Sequence, residues 1–265
     1  KNIQIKKEII NHFVNNGNDT IAELSKGLDL SVPTVTKLIA ELTEMGLVAD
    51  FGKIQTSGGR YPNVYGLNPS SVYFVGVDMT RHHLNIALMD FKGDIVKYEM
   101  GISYMYENTT ESFDRLCSHI QDFINGTGEL KQKIYNICLN ISGRVNPESG
   151  YSYSSFYFSE EPISNTLANR LNYRVTVDND TRSMAYGEFM KGSVQSENNV
   201  IFVNVSWGLG IGIIIDKKRY YGKSGFSGEF GHFPAFDNEI ICHCGKKGCL
   251  ETEASGLAIH RKVLE

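Results

Sequence analysis

Ten residues, Cys242-His-Cys-Gly-Lys-Lys-Gly-Cys-Leu-Glu251, constrain this chain more than any other stretch, together with Gly228-Glu-Phe-Gly-His232 just before them. Three of the five cysteines, Cys242, Cys244 and Cys249, fall within eight residues. Thiolate sulfur and imidazole nitrogen are ligands that zinc prefers, in a tetrahedron that is closed at structural sites. The three cysteines supply three such ligands, and His232 or His243 a fourth. Gly245 and Gly248 let the short loop fold back so that its sulfurs converge. Three clustered cysteines cannot all pair in disulfides, and nothing else points to an oxidising compartment. Free thiols are the remaining alternative.

At 265 residues the chain can hold two or three compact units. It contains no run of eighteen apolar residues, so no membrane span is expected. Lys1-Asn-Ile-Gln-Ile-Lys-Lys-Glu lacks the apolar core and small-residue cleavage site of a signal peptide. With Cys117 and Cys138 scattered elsewhere, the chain reads as cytoplasmic. A net charge of −4 argues against a protein that coats nucleic acid, but a small DNA-reading module depends on local charge alone.

The first third has the pattern of such a module. Ile5, Ile9, Ile10, Phe13 and Val14 have helical spacing over 5–16, closed by Gly17. Thr20-Ile-Ala-Glu23 is a capping box opening a second helix with Ile21, Leu24 and Leu28. Ser31 is a good N-cap for a third, with Pro33 in its first turn. That helix runs through Val35, Leu38, Ile39 and Leu42 to Gly46. Strands follow near Leu47–Phe51 and Val64–Leu67 around a glycine-rich loop. This is a helix-turn-helix with a wing. Its recognition helix would present Ser31, Pro33, Thr34, Thr36 and Lys37 to the major groove. Arg60, in Ser57-Gly-Gly-Arg60-Tyr-Pro62, can enter a narrow minor groove. Residues 1–70 carry seven basic and seven acidic side chains, so this reading rests on pattern and not on charge.

After the joint Asn68-Pro-Ser-Ser71, apolar runs predict strands at 72–78, 84–89 and 134–141, with a turn at Lys92-Gly93-Asp94 and a helix over 110–125. A short helix fits 164–172. Val175-Thr-Val-Asp-Asn179-Asp180 reads as a strand with polar residues at its C-terminal end, where ligands of α/β sheets sit. A helix follows from Thr181 to Lys191, then a buried strand over Ile201–Val205, another through Ile213–Ile215, and a final helix near Ser255.

Gly-Glu-x-Gly-His followed by Cys-x-Cys-Gly-x-x-Gly-Cys-x-Glu resembles the signature of the ROK family, which contains sugar kinases and sugar-responsive repressors on one actin-like scaffold. The Gly-Gly-Arg-x-Pro turn of the wing resembles that of the family's repressors. Gly143-Arg-Val-Asn-Pro resembles the family's Pro-Gly-x-Val segment, with Ser142 in place of the proline. The resemblance implies an α/β protein with a winged helix-turn-helix at 1–70. Behind it comes a two-lobe actin-like domain of the sugar kinase and Hsp70 type. Lobe 1 would span 71–182 and lobe 2, incomplete here, 183–265. It favours His232 over His243 as the fourth zinc ligand. It also matches Asn179, Asp180, Glu229, His232 and Glu251 to residues that hydrogen-bond sugar hydroxyls, with Asp180 also matching the catalytic base of the kinases.

The phosphate-binding loops distinguish kinase from regulator. Family kinases carry Asp-x-Gly-Gly-Thr, whose glycines let backbone amides approach phosphates. Here the stretch is Asp78-Met79-Thr80-Arg81-His82. Their second loop, Gly-Thr-Gly-x-Gly, becomes Ser206-Trp207-Gly208-Leu209-Gly210. The kinase motif Asn-Asp-Ala-Asn becomes Asn179-Asp180-Thr181-Arg182. These departures point to a bacterial cytoplasmic regulator, a repressor by family, that binds operator DNA as a homodimer or higher homo-oligomer and senses a sugar. The rival readings are an active kinase with a DNA-binding head and a regulator whose second part binds a protein partner. Which sugar the pocket takes depends on loop side chains, notably those of Tyr151–Phe158.

Overall fold

The computed structural model describes residues 2–54 and 61–264. The chain divides into two compact units. One comprises Lys1–Val75, Ala87–Glu99 and Ile124–Asn136, and the other Gly76–Ile86, Met100–Phe123 and Ile137–Glu265.

In the first unit, α1 (Asn2–Asn16), α2 (Ile21–Gly27) and α3 (Val32–Glu44) follow the predicted periodicity. Thr20 Oγ1 accepts from the Glu23 amide at 3.2 Å, and Ser31 Oγ from the Thr34 amide at 3.4 Å, so both N-caps form. The return arm of the capping box does not, because the Thr20 amide donates to Asp19 Oδ1 at 2.8 Å. Ile9, Phe13, Leu24, Val35, Leu38, Ile39 and Leu42 make a common core with Val48 and Leu67. The wing strands β2 (Val48–Lys53) and β3 (Asn63–Leu67) pair antiparallel, and β1 (Asp19–Thr20) pairs with β3 on its other edge. The joint is tied down: the Asn68 amide donates to Leu47 O at 2.9 Å and Lys133 Nζ to Ser70 O at 2.9 Å. Arg60 lies outside the described residues.

A five-stranded sheet is built from β4 (Tyr73–Met79), β5 (His83–Met89), β6 (Ile95–Ser103), β7 (Ile134–Ile141) and β10 (Val175–Asn179), in the order β10-β7-β4-β5-β6. Helix α4 (Thr110–Asn125) buries Phe113, Leu116, Ile120 and Phe123 at helical spacing. A small hairpin, β8 (Val145–Asn146) with β9 (Tyr151–Ser152), and α5 (Ile163–Leu171) lie between β7 and β10 in the chain. Strands β7 and β10 run parallel, with Asn179 opposite Ile141, so Ser142-Gly143 and Asn179-Asp180 emerge side by side. The C-terminal ends of parallel strands are where such sheets offer polar groups to ligands.

Helix α6 (Asp180–Lys191) leads to a sheet of β11 (Val200–Val205), β12 (Leu209–Ile215) and β13 (Lys218–Arg219) in that order. The expectation that Ile201–Val205 is a buried strand is corrected. Ile201, Val203 and Val205 are 68%, 54% and 61% exposed. The intervening Asn204 donates to Thr181 of α6 at 3.0 Å, so one face of this edge strand meets the helix and the other has no cover among the described residues. The chain continues through α7 (Glu251–Ala254) into α8 (Gly256–Leu264).

One buried ion pair joins these parts. Arg182 is 3% exposed and donates through Nε to Asp178 Oδ1 at 2.9 Å. Its other nitrogens hold the carbonyls of Val145 and Gly225. Arg219 Nη1 and the Tyr221 hydroxyl occupy Asp178 Oδ2, at 3.0 and 3.4 Å. Removing Arg182 would leave Asp178 paired with Arg219 alone, and the carbonyls of Val145 and Gly225 without this donor in a low dielectric. Arg182→Met is therefore expected to cost about 3–5 kcal/mol in urea unfolding, and a loss under about 1 kcal/mol would contradict this assignment.

Candidate functional site

The segment that carries His232 and the three clustered cysteines is held by close approach of backbone to backbone. Residues Glu229–His232 form a short 3-10 turn against β12. A Cβ on Gly228 would stand 2.1 Å from Ile211 O, and one on Gly231 2.1 Å from Leu209 O, so only glycine fits either place. Leu250 N donates to Phe233 O at 2.9 Å and Ala235 N to Gly248 O at 2.8 Å, which brings the cysteine loop back beside His232. Within that loop, Cys242 N meets Lys246 O and Gly245 N meets Cys242 O, both at 2.8 Å.

The donor atoms of His232, Cys242, Cys244 and Cys249 consequently lie within 4.8 Å of one another. His232 Nδ1 is 3.5 Å from Cys242 Sγ, and Cys244 Sγ is 3.6 Å from Cys249 Sγ. These separations suit four ligands around one ion, and the group can hold a metal. Burial pushes the Cys242 thiol up to about 12 and raises that of Cys249. Burial acts the same way on Cys244, but the Lys246 amide and the neighbouring thiols outweigh it, and its pKa falls. A metal takes cysteine as thiolate, so an ion held here would work against the burial that favours the thiol forms of Cys242 and Cys249.

His243 is the other histidine of the segment. Its Nδ1 lies 3.1 Å from Glu251 Oε1, and this hydrogen bond raises its pKa against the effect of burial. Burial would raise the pKa of Glu251, but the hydrogen bonds from His243 and from Leu209 N, at 2.8 Å, lower it below the usual carboxylate range. Glu229 Oε2 stands 3.7 Å from His232 Nε2. Glu229, His232 and Glu251 therefore gather at the start of β12.

Asn179 and Asp180 form a second group. Asn179 Nδ2 donates to Gly143 O at 3.0 Å, and its Oδ1 caps α6 by accepting from the Arg182 amide at 3.0 Å. Asp180 Oδ2 accepts from Ser142 Oγ at 2.5 Å. Burial raises the pKa of Asp78, opposed by the Asn85 hydrogen bond and reinforced by the charge of Asp180. Thr181 and Ala185 pack on Gly210 and Gly212, so β12 carries this group as well as the metal-ligating one. Ser142 and Arg182 were noted in the sequence only as departures from a motif. The spacing Asp178-x-x-x-Arg182 was the available signal for the pair.

On α3, Ser31, Pro33, Thr36 and Lys37 are exposed and Thr34 is half-buried. Thr36 Oγ1 donates to Val32 O at 2.8 Å, and the Ser31 and Thr34 hydroxyls meet at 2.8 Å. Lys37 stands free enough to reach out, 4.0 Å from Glu41 with its side chain 70% exposed.

A family model described as "ROK family" matches residues 74–265, and one described as "Winged helix-turn-helix DNA-binding" matches residues 4–49. The chain belongs to the ROK family. It is 29% identical over 260 residues to the xylose repressor of Bacillus subtilis, covering 97% of this chain and 67% of that one. It is 31% identical over 248 residues to the DNA-binding transcriptional dual regulator NagC of Escherichia coli, covering 92% and 60%. A crystal structure of a ROK family transcriptional regulator, a homologue of the E. coli MLC protein, superposes with a TM-score of 0.80 at 25% identity, covering 100% and 68%.

The geometry of the sulfur cluster makes a direct prediction. The purified protein is expected to carry about one metal ion per chain by elemental analysis, and Cys249→Ser to lose it. Chelation should lower the melting temperature of the wild type and leave that of Cys249→Ser unchanged.

Proposed function

We propose that this chain is a sugar-responsive transcriptional regulator, a repressor by its likeness to the xylose repressor and NagC. Its winged helix-turn-helix reads operator DNA through the exposed face of α3, including Pro33, Thr36 and Lys37, and through Arg60. As a homodimer it reads a two-fold operator. Asn179, Asp180, Glu229, His232 and Glu251 receive the hydroxyls of a sugar effector, with carboxylates accepting and the amide doing both. The ion in the sulfur cluster is zinc, which three thiolates and an imidazole suit, and it orients His232 without activating water. Residues 1–70 form the DNA-reading domain, 71–182 and 183–265 the two parts of the effector domain, and the protein acts in the cytoplasm. No helix among the described residues is long and apolar enough to cross a membrane.

The observation that carries the regulator over the kinase is the state of the two loops where ATP phosphates would sit. In the first, the Thr80 amide donates to His83 O at 3.0 Å, and the amides of His82 and His83 donate to Thr80 Oγ1. In the second, the Leu209 amide is taken by Glu251 and the Ser206 amide by Gly208 O. A phosphate-binding loop needs its N–H groups unsatisfied and aimed at the anion. These are spent within the chain.

The test is fluorescence anisotropy on fragments of the surrounding genome, with a panel of sugars and with ATP. Release from DNA by one sugar, with no phosphate transferred from ATP, is the expected result; phosphorylation of that sugar would establish the kinase. Lys37→Ala should weaken binding to all DNA sequences alike and reduce the salt dependence by about one ion. Glu229→Gln should abolish the response to sugar while leaving DNA affinity within about twofold. If the response survives that change, the protein-partner reading gains.

A further inference from the structure

The aromatic stretch after β8 has no part in the reading above. Tyr151 and Tyr153 lie with ring centroids 4.9 Å apart. Tyr153 meets Phe226 edge to face, with centroids 5.1 Å apart and planes at 87°. The Arg144 guanidinium stands 5.8 Å from the centre of the Phe226 ring. Tyr153 is 45% exposed. Tyr153 leaves much of its ring in water beside two half-buried rings, apolar surface that a bound ligand would cover.

The position of the cluster indicates what binds. Gly143 O accepts from Asn179, and Arg144 is the next residue. Arg144 O accepts from the Tyr153 amide at 2.9 Å, and its own amide donates to Ser154 Oγ at 3.0 Å. On the other side, Phe226 precedes Glu229 by three residues. The buried Arg182 holds the carbonyls of both Val145 and Gly225, so one side chain fixes the segments that carry Arg144 and Phe226. The cluster therefore adjoins Asn179 through Gly143 and Arg144, and precedes Glu229 closely along the chain.

The two neighbouring surfaces have complementary chemistry. Carboxylates and an amide read hydroxyls; ring faces accept the C–H face of a pyranose, and a guanidinium donates to its oxygens. We propose that Tyr153, Phe226 and Arg144 form a second sugar subsite, so that the effector is a disaccharide or longer glycan. One ring occupies the Asn179–Glu251 set and the next rests on Tyr153 and Phe226. This rests on the sugar reading of the polar set.

Calorimetry on the intact protein tests it with matched pairs: xylose and xylobiose, glucose and cellobiose, N-acetylglucosamine and diacetylchitobiose. In one pair the disaccharide should bind about tenfold tighter than its monosaccharide, and Tyr153→Ala should bring that ratio within about twofold. Tyr153→Phe should keep the advantage, because it keeps the ring. A melting temperature of Tyr153→Ala equal to the wild type's excludes a folding defect. Monosaccharide binding with no gain on extension, or a full gain surviving in Tyr153→Ala, overturns the subsite and leaves the first site standing. If no member of any pair binds, both readings fall together.

Discussion

The approach of the Glu229–His232 turn to the backbone of β12 is the contact on which the site depends. It brings carbonyls of Leu209 and Ile211 to places that any side chain at 231 or 228 would fill. Because a turn without side chains at those positions can lie flat on a strand, His232 is delivered to the sulfurs by backbone and not by a flexible side chain. The same strand receives α6 through Gly210 and Gly212. A single strand, Leu209–Ile215, thus places a metal-ligating turn at one side and an Asn-Asp helix start at the other. The glycines on it are there for proximity to neighbours, since β12 itself is regular.

Electrostatics then decides what this frame can hold. Burial favours the thiol forms of Cys242 and Cys249, and a divalent ion held among the sulfurs would favour the thiolates and stabilise the local fold. At Asp178 the opposite holds, because the protein supplies its own cations. Two arginines and a tyrosine surround one carboxylate, and the arginine that replaces the second asparagine of the kinase motif spans from β10 to two separate loops. The change from asparagine to arginine exchanges a short polar side chain for a long, always-charged one that can crosslink three backbone segments.

Much of this was legible beforehand where the signal was local. The caps at Thr20 and Ser31 and the helical spacing through Leu42 depend only on neighbours in sequence, and the structure has them. The cysteine spacing also announced a cluster. Which histidine stands with the sulfurs was not in the spacing, because it depends on the turn pressed onto β12 and on Glu251 drawing His243 aside. The error at Ile201–Val205 has the same origin. An unbroken apolar run reads as buried on two faces, but burial is set by what stacks on the sheet, and here only the Asn204 side meets a helix. Arg182 was visible as a departure and not as a hub, since its partners at 145 and 225 are distant in sequence.

The two closed loops bear on how such a scaffold changes its work. A phosphate loop is costly to maintain, because it keeps several amides unsatisfied until the nucleotide arrives. In a chain that does not transfer phosphate, a side chain that satisfies those amides would be stabilising. The turn at Thr80 does this with a hydroxyl, and Glu251 does it at Leu209 with a carboxylate that also holds His243. Glu251 is thus shared between the Leu209 amide and His243. A ligand that hydrogen-bonds this carboxylate would share it with the Leu209 amide on Oε2 and with His243 on Oε1. If the proposed sugar binds there, it acts through Glu251 on the Leu209 amide of β12, which would give it the differential interaction between two states that a switch requires.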